Sequence, residues 1–260
     1  IFSEVKGRII IALFSSHIRR IRTVLELARK YRRSVLVSGR SLSTNIEKAV
    51  ELGLLEQPDN LYSEAAGFPD LDPGQTVVLA TGTQGEALSA LARIARGEHR
   101  QLSLHEGDTV LLDIPCGWRG YHTDKSITFY YGELDKHPQS GVIRAAREQC
   151  IALENETASL LRAGAVPAEI YEKILSLVDP SFREGFMNGC KFLGHSIGLT
   201  MDETPVLAKG FSAPLESGMT LAVEPKIAIP GVGLIGCENT YEITADGPAQ
   251  SLTGACDTLF

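Results

Sequence analysis

The chain has 260 residues, 43% of them hydrophobic, and a formal net charge of −7 at pH 7. Such a chain can bury a substantial core, which corresponds to one large domain or two small ones. No segment approaches the roughly 18 to 20 apolar residues of a membrane-spanning helix, and the first residues lack the apolar stretch of a signal peptide. The sequence therefore predicts no transmembrane helix, and we expect a cytoplasmic location.

Basic residues concentrate near the start of the chain. Residues 1–50 contain 11 Lys and Arg against 3 Asp and Glu, a balance of +8, so the remaining 210 residues carry −7 − 8 = −15. This asymmetry indicates that the N-terminal part contacts an anionic partner. The alternative is that RRIRTVLELARKYRR only forms the solvated face of an amphipathic helix.

The five cysteines occur at irregular spacings and without a CxxC pair. An odd number in this arrangement argues against a disulfide framework and against a thiolate zinc site. We expect small, buried apolar side chains at these positions: Cys116, Cys150, Cys190, Cys237 and Cys256.

The first hundred residues alternate short apolar strands with amphipathic helices. Strands are predicted at RIIIALF, SVLVSG and TVVLAT, and helices at SSHIRRIRTVLELARKYRR, TNIEKAVELGLL and EALSALARIARG. Ser15 or Ser16 is the predicted N-cap of the first helix. This alternation is typical of a Rossmann-like parallel α/β sheet.

Hydroxyl and glycine residues follow each of these strands, in FSSH, SGRS and TGTQGE. Ligands of parallel sheets bind at the carboxyl ends of the strands, and helix N-termini offer N–H groups that suit phosphates. Ordinary helix capping explains any one of these segments equally well. Together with the basic residues nearby, they indicate an anion-binding edge.

From Gly107 the pattern changes to segregated strands and helices, as in α+β folds. Strands are predicted at DTVLLDI, GYHTDKSITFYYG, TLAVEPKIAI and TYEIT, and helices over about 140–162 and 167–177. We expect Trp118 and Tyr121 to pack in the core, as large aromatic residues usually do, and the alternative is that they line a pocket near Asp113. The prediction is a mixed α/β chain of two domains, residues 1–106 and 107–260.

Four carboxylates and one histidine of the second domain lie beside predicted strands and glycine turns: Asp113, Asp124, His195, Glu224 and Glu238. Hairpins around PCGWRG and AIPGVGLIG can bring the carboxylates together in pairs. Burying carboxylates among Leu, Val and Ile is costly without a cation, and five such donors suffice for two divalent ions. Taken singly, each is explained more simply as a surface carboxylate or a hydrogen-bonded histidine.

The segments GDTVLLDI, GYHTDKSITFYYG, FLGHSIGLTMDETP, LESGMTLAVEPKI and ENTYEIT resemble, in this order, the motifs of the pita-bread metallohydrolases, which include methionine aminopeptidase, prolidase, Xaa-Pro aminopeptidase and creatinase. The resemblance covers about residues 107–253. It implies that these five residues bind two divalent ions of Mn, Co, Fe or Zn, with Asp124 and Glu238 bridging. It also implies that a metal-bound water cleaves a peptide bond near a peptide N-terminus. The implied catalytic residues are Glu224, which acts as proton shuttle, and His195.

Two features depart from that family. Most of its peptidases have a second histidine, seven residues after the first, that contacts the substrate carbonyl, and Asp202 stands at that position here. Asp202 is thus a substrate-binding candidate that cannot donate to an oxyanion unless it is protonated. The family's usual first segment, which provides another substrate-facing histidine, is also replaced.

The replacing region resembles the β-CASP part of ribonuclease J. GRIIIALFSSHIRRI, VLVSGRSL, NIEKAVELGLL and LATGTQGEALSALARIARGEHRQLSLHEGDTV follow that family's order through about residue 110. The resemblance implies RNA contacts at these candidates: Ser16, His17, Arg40, Gly82, Gln84 and Gly85. The nuclease's metal motif HxHxDH does not occur in the chain, so ribonuclease catalysis is not implied.

Both families can carry GDTV at the start of a strand, so the chain combines two incomplete domains, as a fusion or chimera joined at residues 107–110. Three hypotheses follow: a dinuclear metallopeptidase-like domain that acts on peptides, an RNA-binding β-CASP segment without a catalytic metal motif, or a non-functional hybrid. Sheet surface left uncovered by the missing pita-bread segment would favour a homodimer. The complete ligand set favours the first hypothesis.

Overall fold

A computed structural model describes residue 2 and residues 7–56, 59–82, 86–105, 107–113 and 115–254. The chain divides into two compact units, Ile1–His105 (unit 1) and Glu106–Phe260 (unit 2). Unit 1 contains a parallel sheet and unit 2 an antiparallel sheet, which confirms the predicted mixed α/β class. No helix in the described part of the chain is long and apolar enough to cross a membrane.

Unit 1 is a four-stranded parallel sheet with the order β1-β4-β2-β3. Its strands are β1 (Ile9–Ala12), β2 (Ser34–Ser38), β3 (Leu61–Ser63) and β4 (Thr76–Ala80), and its helices are α1 (Ile18–Lys30), α2 (Arg40–Glu51) and α3 (Ala90–Ala95). Val35 and Val37 of β2 face α1 and α2, whereas Leu36 faces the other side with α3. Because both faces are buried, these strands are continuous apolar runs.

Four details of unit 1 differ from the prediction. The N-cap of α1 is His17, not Ser15 or Ser16, because its Nδ1 accepts the N–H of Arg20. Helix α2 begins earlier than predicted, and α3 has only six residues. The short strand β3 was not predicted, since three half-buried residues give no clear alternation.

Unit 2 is built on antiparallel strands in the order β10-β9-β11-β13-β8-β5, with β12 and β14 also paired to β13. The strands are β5 (Thr109–Asp113), β6 (Cys116–Trp118), β7 (Tyr121–Thr123), β8 (Ser126–Tyr130), β9 (Phe192–Ser196), β10 (Glu203–Ala208), β11 (Thr220–Val223), β12 (Lys226–Ile229), β13 (Gly233–Glu242) and β14 (Gln250–Ser251). Strands β6 and β7 form a separate hairpin. The strands β9 and β10 were not predicted.

Two helices, α4 (Ser140–Leu160) and α5 (Pro167–Leu177), cover this sheet. Helix α5 has the predicted bounds, because Pro167 suits the first turn of a helix. The core between helices and sheet includes Ile143, Leu153 and Ile235. It also buries Glu154, whose Oε1 accepts from Asn239 Nδ2 at 2.6 Å and from the Tyr241 hydroxyl at 2.9 Å.

Some expected core residues of unit 2 are exposed instead. Cys150 and Cys237 are buried as predicted, whereas Cys116 and Cys190 are exposed, and Cys256 lies outside the described residues. Trp118 and Tyr121 are 75% and 63% exposed, because the β6–β7 hairpin forms a two-stranded sheet apart from the main sheet. Composition alone could not reveal that this hairpin leaves the main sheet.

Candidate metal centre

Three side chains of unit 2 converge on one buried point. One donor atom from each of Asp124, His195 and Glu238 lies within 4.8 Å of the other two, and all three residues are buried. Carboxylate oxygens and imidazole nitrogens are common ligands of divalent first-row transition metals. This donor set therefore fits a divalent cation.

Pairing between β8 and β13 positions two of these carboxylates. Glu238 of β13 lies opposite Ser126 of β8, and Asp124 lies two residues before Ser126. The Oγ1 of Thr240, also on β13, accepts the N–H of Asp124 at 2.8 Å and donates to its carbonyl oxygen at 2.8 Å. Both carboxylates are thus held on adjacent, hydrogen-bonded chain segments.

His195 lies on β9, opposite Ala222 of β11. Its Nδ1 donates to the carbonyl oxygen of Ser196 at 3.1 Å, which leaves the lone pair on Nε2. Nε2 lies 3.7 Å from Oε1 of Glu224, the residue after β11, and 3.6 Å from Oδ1 of the exposed Asp202. The unprotonated Nε2 of His195 therefore faces the carboxylates of Glu224 and Asp202.

Asp113 ends β5 and forms a carboxyl–carboxyl hydrogen bond with Asp124. Burial, followed by the charge of Asp113 and by this hydrogen bond, raises the pKa of Asp124 to about 7. Carboxyl groups this close share a proton unless a cation lies between them. Asp113 thus adds one more carboxyl group to the site.

A lysine that the ligand pattern does not predict lies beside these groups. The Nζ of Lys226 donates to Oε2 of Glu224 and lies 3.4 Å from Oε2 of Glu238. Burial lowers the pKa of Lys226, but the carboxylates of Glu238, Glu224 and Asp113 outweigh burial and raise it. Burial also raises the pKa of Glu238 to about 8, despite the opposing charge of Lys226.

Contacts thus join all five residues that the sequence suggested as ligands. Asp113 contacts Asp124, which lies with His195 and Glu238, and Glu224 lies beside His195. Their binding of metal, and the bridging roles of Asp124 and Glu238, stay predictions. The sheet explains the convergence, since β5, β8, β13, β11 and β9 are successive neighbours.

The raised pKa values predict that the metal-free protein loses stability as the pH rises from about 4 to about 8. Asp124 and Glu238 bind protons more tightly in the folded chain than in the unfolded chain, so their stabilising effect is complete below the ordinary carboxyl pKa and is lost progressively as the pH rises through their folded pKa values of about 7 and about 8. Because one unit of pKa shift corresponds to about 1.4 kcal/mol, the loss over this interval is on the order of several kcal/mol. Urea unfolding with a chelator present measures the loss.

Glu238→Gln is expected to flatten this pH dependence, because an amide does not titrate. Asp246→Asn removes an exposed carboxyl from the same unit and serves as the matched control. An equally steep loss of stability in Glu238→Gln and in the wild type would contradict the prediction.

The predicted RNA-contact residues follow three neighbouring strands of unit 1. Ser16 and His17 follow β1, Arg40 follows β2 and Gly82 follows β4. Because β1, β4 and β2 are parallel neighbours, their carboxyl ends lie at one edge of the sheet. Ser16, His17 and Arg40 are exposed at this edge.

Gly82 begins a loop whose next candidates, Gln84 and Gly85, lie outside the described residues. Its φ is +131°, and a Cβ there would lie 2.6 Å from Oγ of Ser89, the N-cap of α3. Only glycine fits so close to this helix terminus. The glycine therefore has a steric role whether or not the loop binds a ligand.

A buried polar cluster beneath this edge was not predicted. Ser38, the last residue of β2, donates to Oε2 of Glu64 at 2.8 Å and lies 2.8 Å from Nε2 of His99. Arg93 donates to both carboxylate oxygens of Glu64 at 3.1 and 3.3 Å. His99 Nδ1 accepts two backbone N–H groups, so Nε2 carries the proton and cannot act as a base towards Ser38. The cluster is therefore structural, and no sequence spacing indicated it.

The two parts of the chain resemble different classes of protein, as the sequence motifs indicated. Residues 6–116 match the family model of the ribonuclease J beta-CASP domain, which extends past unit 1 to include β5. A ribonuclease J from Synechocystis sp. is 40% identical over 111 residues, which are 43% of this chain and 17% of that protein. A ribonuclease J from Mycobacterium tuberculosis is 40% identical over 106 residues, 41% of this chain and 19% of that protein.

Solved structures with a similar fold include pita-bread-like peptidases. A dipeptidase from Pyrococcus horikoshii superposes with a TM-score of 0.53 and 25% identity over 62% of this chain and 42% of that one. A dipeptidase from Mycobacterium ulcerans gives a TM-score of 0.52 and 25% identity over 69% of this chain and 44% of that one. An X-Pro aminopeptidase from Thermotoga maritima, at 21% identity and a TM-score of 0.54, shares the fold over 63% of this chain and 44% of that one. The chain thus spans less than half of each of these proteins.

Proposed function

We propose that residues 107–260 form a divalent-metal-dependent hydrolase domain that cleaves a peptide bond near the N-terminus of a peptide. One observation carries this proposal: Asp124, His195 and Glu238 present donor atoms within 4.8 Å of one another, and all three are buried. The solved dipeptidases with a similar fold support the choice of a peptide substrate.

The five-residue set has enough donors for two ions of Mn, Co, Fe or Zn. Such ions, when bound, supply Lewis-acid polarisation of the peptide carbonyl and make water more acidic. Asp124 and Glu238 would hold such ions together with His195, and the family resemblance assigns these two carboxylates the bridging role. His195 would bind through Nε2, because its Nδ1 proton is engaged by Ser196.

Proton transfer is assigned to Glu224 in this proposal. Its Oε1 lies 3.7 Å from His195 Nε2, and its other oxygen accepts from Lys226. A carboxylate held in this way can accept a proton from the attacking water at Oε1 and pass it to the leaving amine.

Asp202 is the proposed substrate-binding residue. Its side chain is 86% exposed, and its Oδ1 lies 3.6 Å from His195 Nε2. An ionised carboxylate only accepts hydrogen bonds, so it suits an N–H group or the N-terminal ammonium of a peptide rather than a developing oxyanion. This differs from the histidine that the resembling peptidases have at this position.

Hydrolysis of Xaa-Pro dipeptides and of short peptides tests the proposal. The full chain is incubated with Mn²⁺, Co²⁺, Fe²⁺ or Zn²⁺, and release of the N-terminal residue is followed with and without a chelator. We expect release that requires an added ion. A chain that binds ions but releases no residue from any of these peptides would refute the proposed substrate class.

A second candidate function, RNA binding by residues 1–106, is favoured by the match to the ribonuclease J beta-CASP domain. The exposed Ser16, His17 and Arg40 at one edge of the parallel sheet would contact phosphates. Basic residues outnumber acidic ones by 11 to 3 in the first 50 positions, which suits a polyanion. We therefore propose RNA binding for this part of the chain.

Filter binding with single-stranded RNA at two salt concentrations tests this second function. Arg40→Ala is expected to weaken binding several-fold and to lower the salt dependence by about one phosphate contact. Arg162→Ala, an exposed arginine of unit 2, is the matched control. If the wild type has no RNA affinity at low salt, this candidate function is wrong.

A further inference from the structure

Lys226 places a positive charge inside the proposed metal centre. Its side chain is only 12% exposed, and its Nζ contacts Oε2 of both Glu224 and Glu238. Carboxylate ligands bind a metal ion through their oxygens. The ammonium of Lys226 therefore competes with a metal ion for the oxygens of Glu224 and Glu238. The contact is therefore relevant to how many ions the site can hold.

The position of this lysine is built into the sheet. Lys226 begins β12 and lies opposite Gly236 on β13. A Cβ added at Gly236 would lie 2.5 Å from Cγ of Lys226 and 2.9 Å from the carbonyl oxygen of Pro225. The lysine stem thus crosses a gap that exists only because residue 236 is glycine, and this path leads its ammonium to the two glutamates.

Geometry indicates what the ammonium does there. When ionised, Asp113, Asp124, Glu224 and Glu238 carry four negative charges. With Lys226 present, one divalent ion leaves one negative charge and two ions leave one positive charge, so the two states are equally far from neutral. A second ion beside Glu224 and Glu238 would, however, lie next to the ammonium that already contacts both carboxylates, and like charges this close repel strongly.

We propose that the ammonium of Lys226 occupies the second cation position of this site. The chain then binds one divalent ion at Asp124, His195 and Glu238, where the five ligands alone would bind two. Glu224 is paired with Lys226 and is left to transfer protons. This inference rests on the metal centre of the proposed function and changes its stoichiometry.

Calorimetric titration of the full chain with MnCl₂ near neutral pH tests the proposal. The wild type is compared with Lys226→Met, which keeps most of the stem and removes the charge, and with Lys209→Met, an exposed lysine of the same unit, as the control. We expect about one ion for the wild type and the control and about two for Lys226→Met, the second bound at least tenfold more tightly than any second ion in the wild type.

Lys226→Gln is the second variant, in case the methionine side chain disturbs folding, and circular dichroism establishes folding for each protein. Two ions in the wild type with the same affinities as in Lys226→Met would overturn the inference while leaving the proposed hydrolase function standing. No ion bound by any of the proteins would overturn both. A second ion gained by either Lys226 variant would support the inference even if no peptide were cleaved.

Discussion

Replacing Asp124 by Asn and Glu238 by Gln together is expected to lower metal-dependent peptide hydrolysis by more than about 100-fold. Substitution of groups that only support metal ligands costs 10- to 100-fold, so loss of two ligand charges should cost more. The amides have nearly the same shape as the carboxyls, and both positions are buried, so the change removes charge with little change of volume. The measured quantity is kcat/KM with each added ion.

The matched control for this pair is Asp246→Asn, an exposed change in the same unit. Thermal unfolding followed by circular dichroism establishes that the double variant is folded. Folding is expected, because the amides at positions 124 and 238 need neither a proton nor a cation to offset their burial. Full hydrolysis by a folded double variant would refute the role of Asp124 and Glu238.

Gly194→Ala is expected to destabilise unit 2 by about 3 kcal/mol or more. A Cβ at position 194 would lie 2.1 Å from the carbonyl oxygen of Ala222 and 3.1 Å from Cα of Val223. These are backbone atoms of β11, which pairs with β9 at this point, so the clash cannot be relieved by rotation of a side chain. His195 is the next residue, and its displacement would also disturb the metal centre.

Gly141→Ala provides the matched control for that substitution. Gly141 lies in helix α4, and an added Cβ meets no atom within 4 Å. Alanine there is expected to stabilise the helix by up to about 1 kcal/mol. The midpoints of thermal unfolding measure both effects, and a Gly194→Ala midpoint equal to that of the wild type would show that β9 and β11 separate easily.

Much of unit 2 follows from local sequence. The bounds of α5 could be predicted because Pro167 marks a first helical turn, and the ligand candidates because carboxylates beside apolar strands need a reason to be buried. Strands β9 and β10 gave no clear pattern, since β9 is nearly fully buried and β10 is irregular in register. Their existence depends on partners far along the chain.

The details that long-range contacts decide could not be predicted. Thr240 holds Asp124 across 116 positions, and Gly236 makes room for Lys226 only because β12 pairs with β13 in one register. Trp118 is exposed because its hairpin leaves the sheet. In each case the sequence shows the residue type, but the residue that it contacts depends on how distant segments of the chain pair.

The join between the two resemblances also has a structural counterpart. The beta-CASP match runs to residue 116, past the end of unit 1 at His105, whereas β5, at Thr109–Asp113, pairs with β8 of unit 2. A segment that resembles one family therefore supplies an edge strand, and Asp113, to the sheet of the other. A strand needs only apolar residues and open hydrogen-bonding groups to join a sheet edge, so GDTV can serve either fold.

The divalent-ion content of the purified chain tests the central claim most directly. The wild type and the Asp124→Asn, Glu238→Gln double variant are equilibrated with Mn²⁺, freed of unbound ion, and measured by atomic emission. With Lys226 in the second cation position, this carboxylate–histidine centre predicts about one Mn²⁺ per wild-type chain and none in the double variant. Equal Mn²⁺ in both proteins, or none in the wild type, would contradict the metal centre proposed at Asp124, His195 and Glu238.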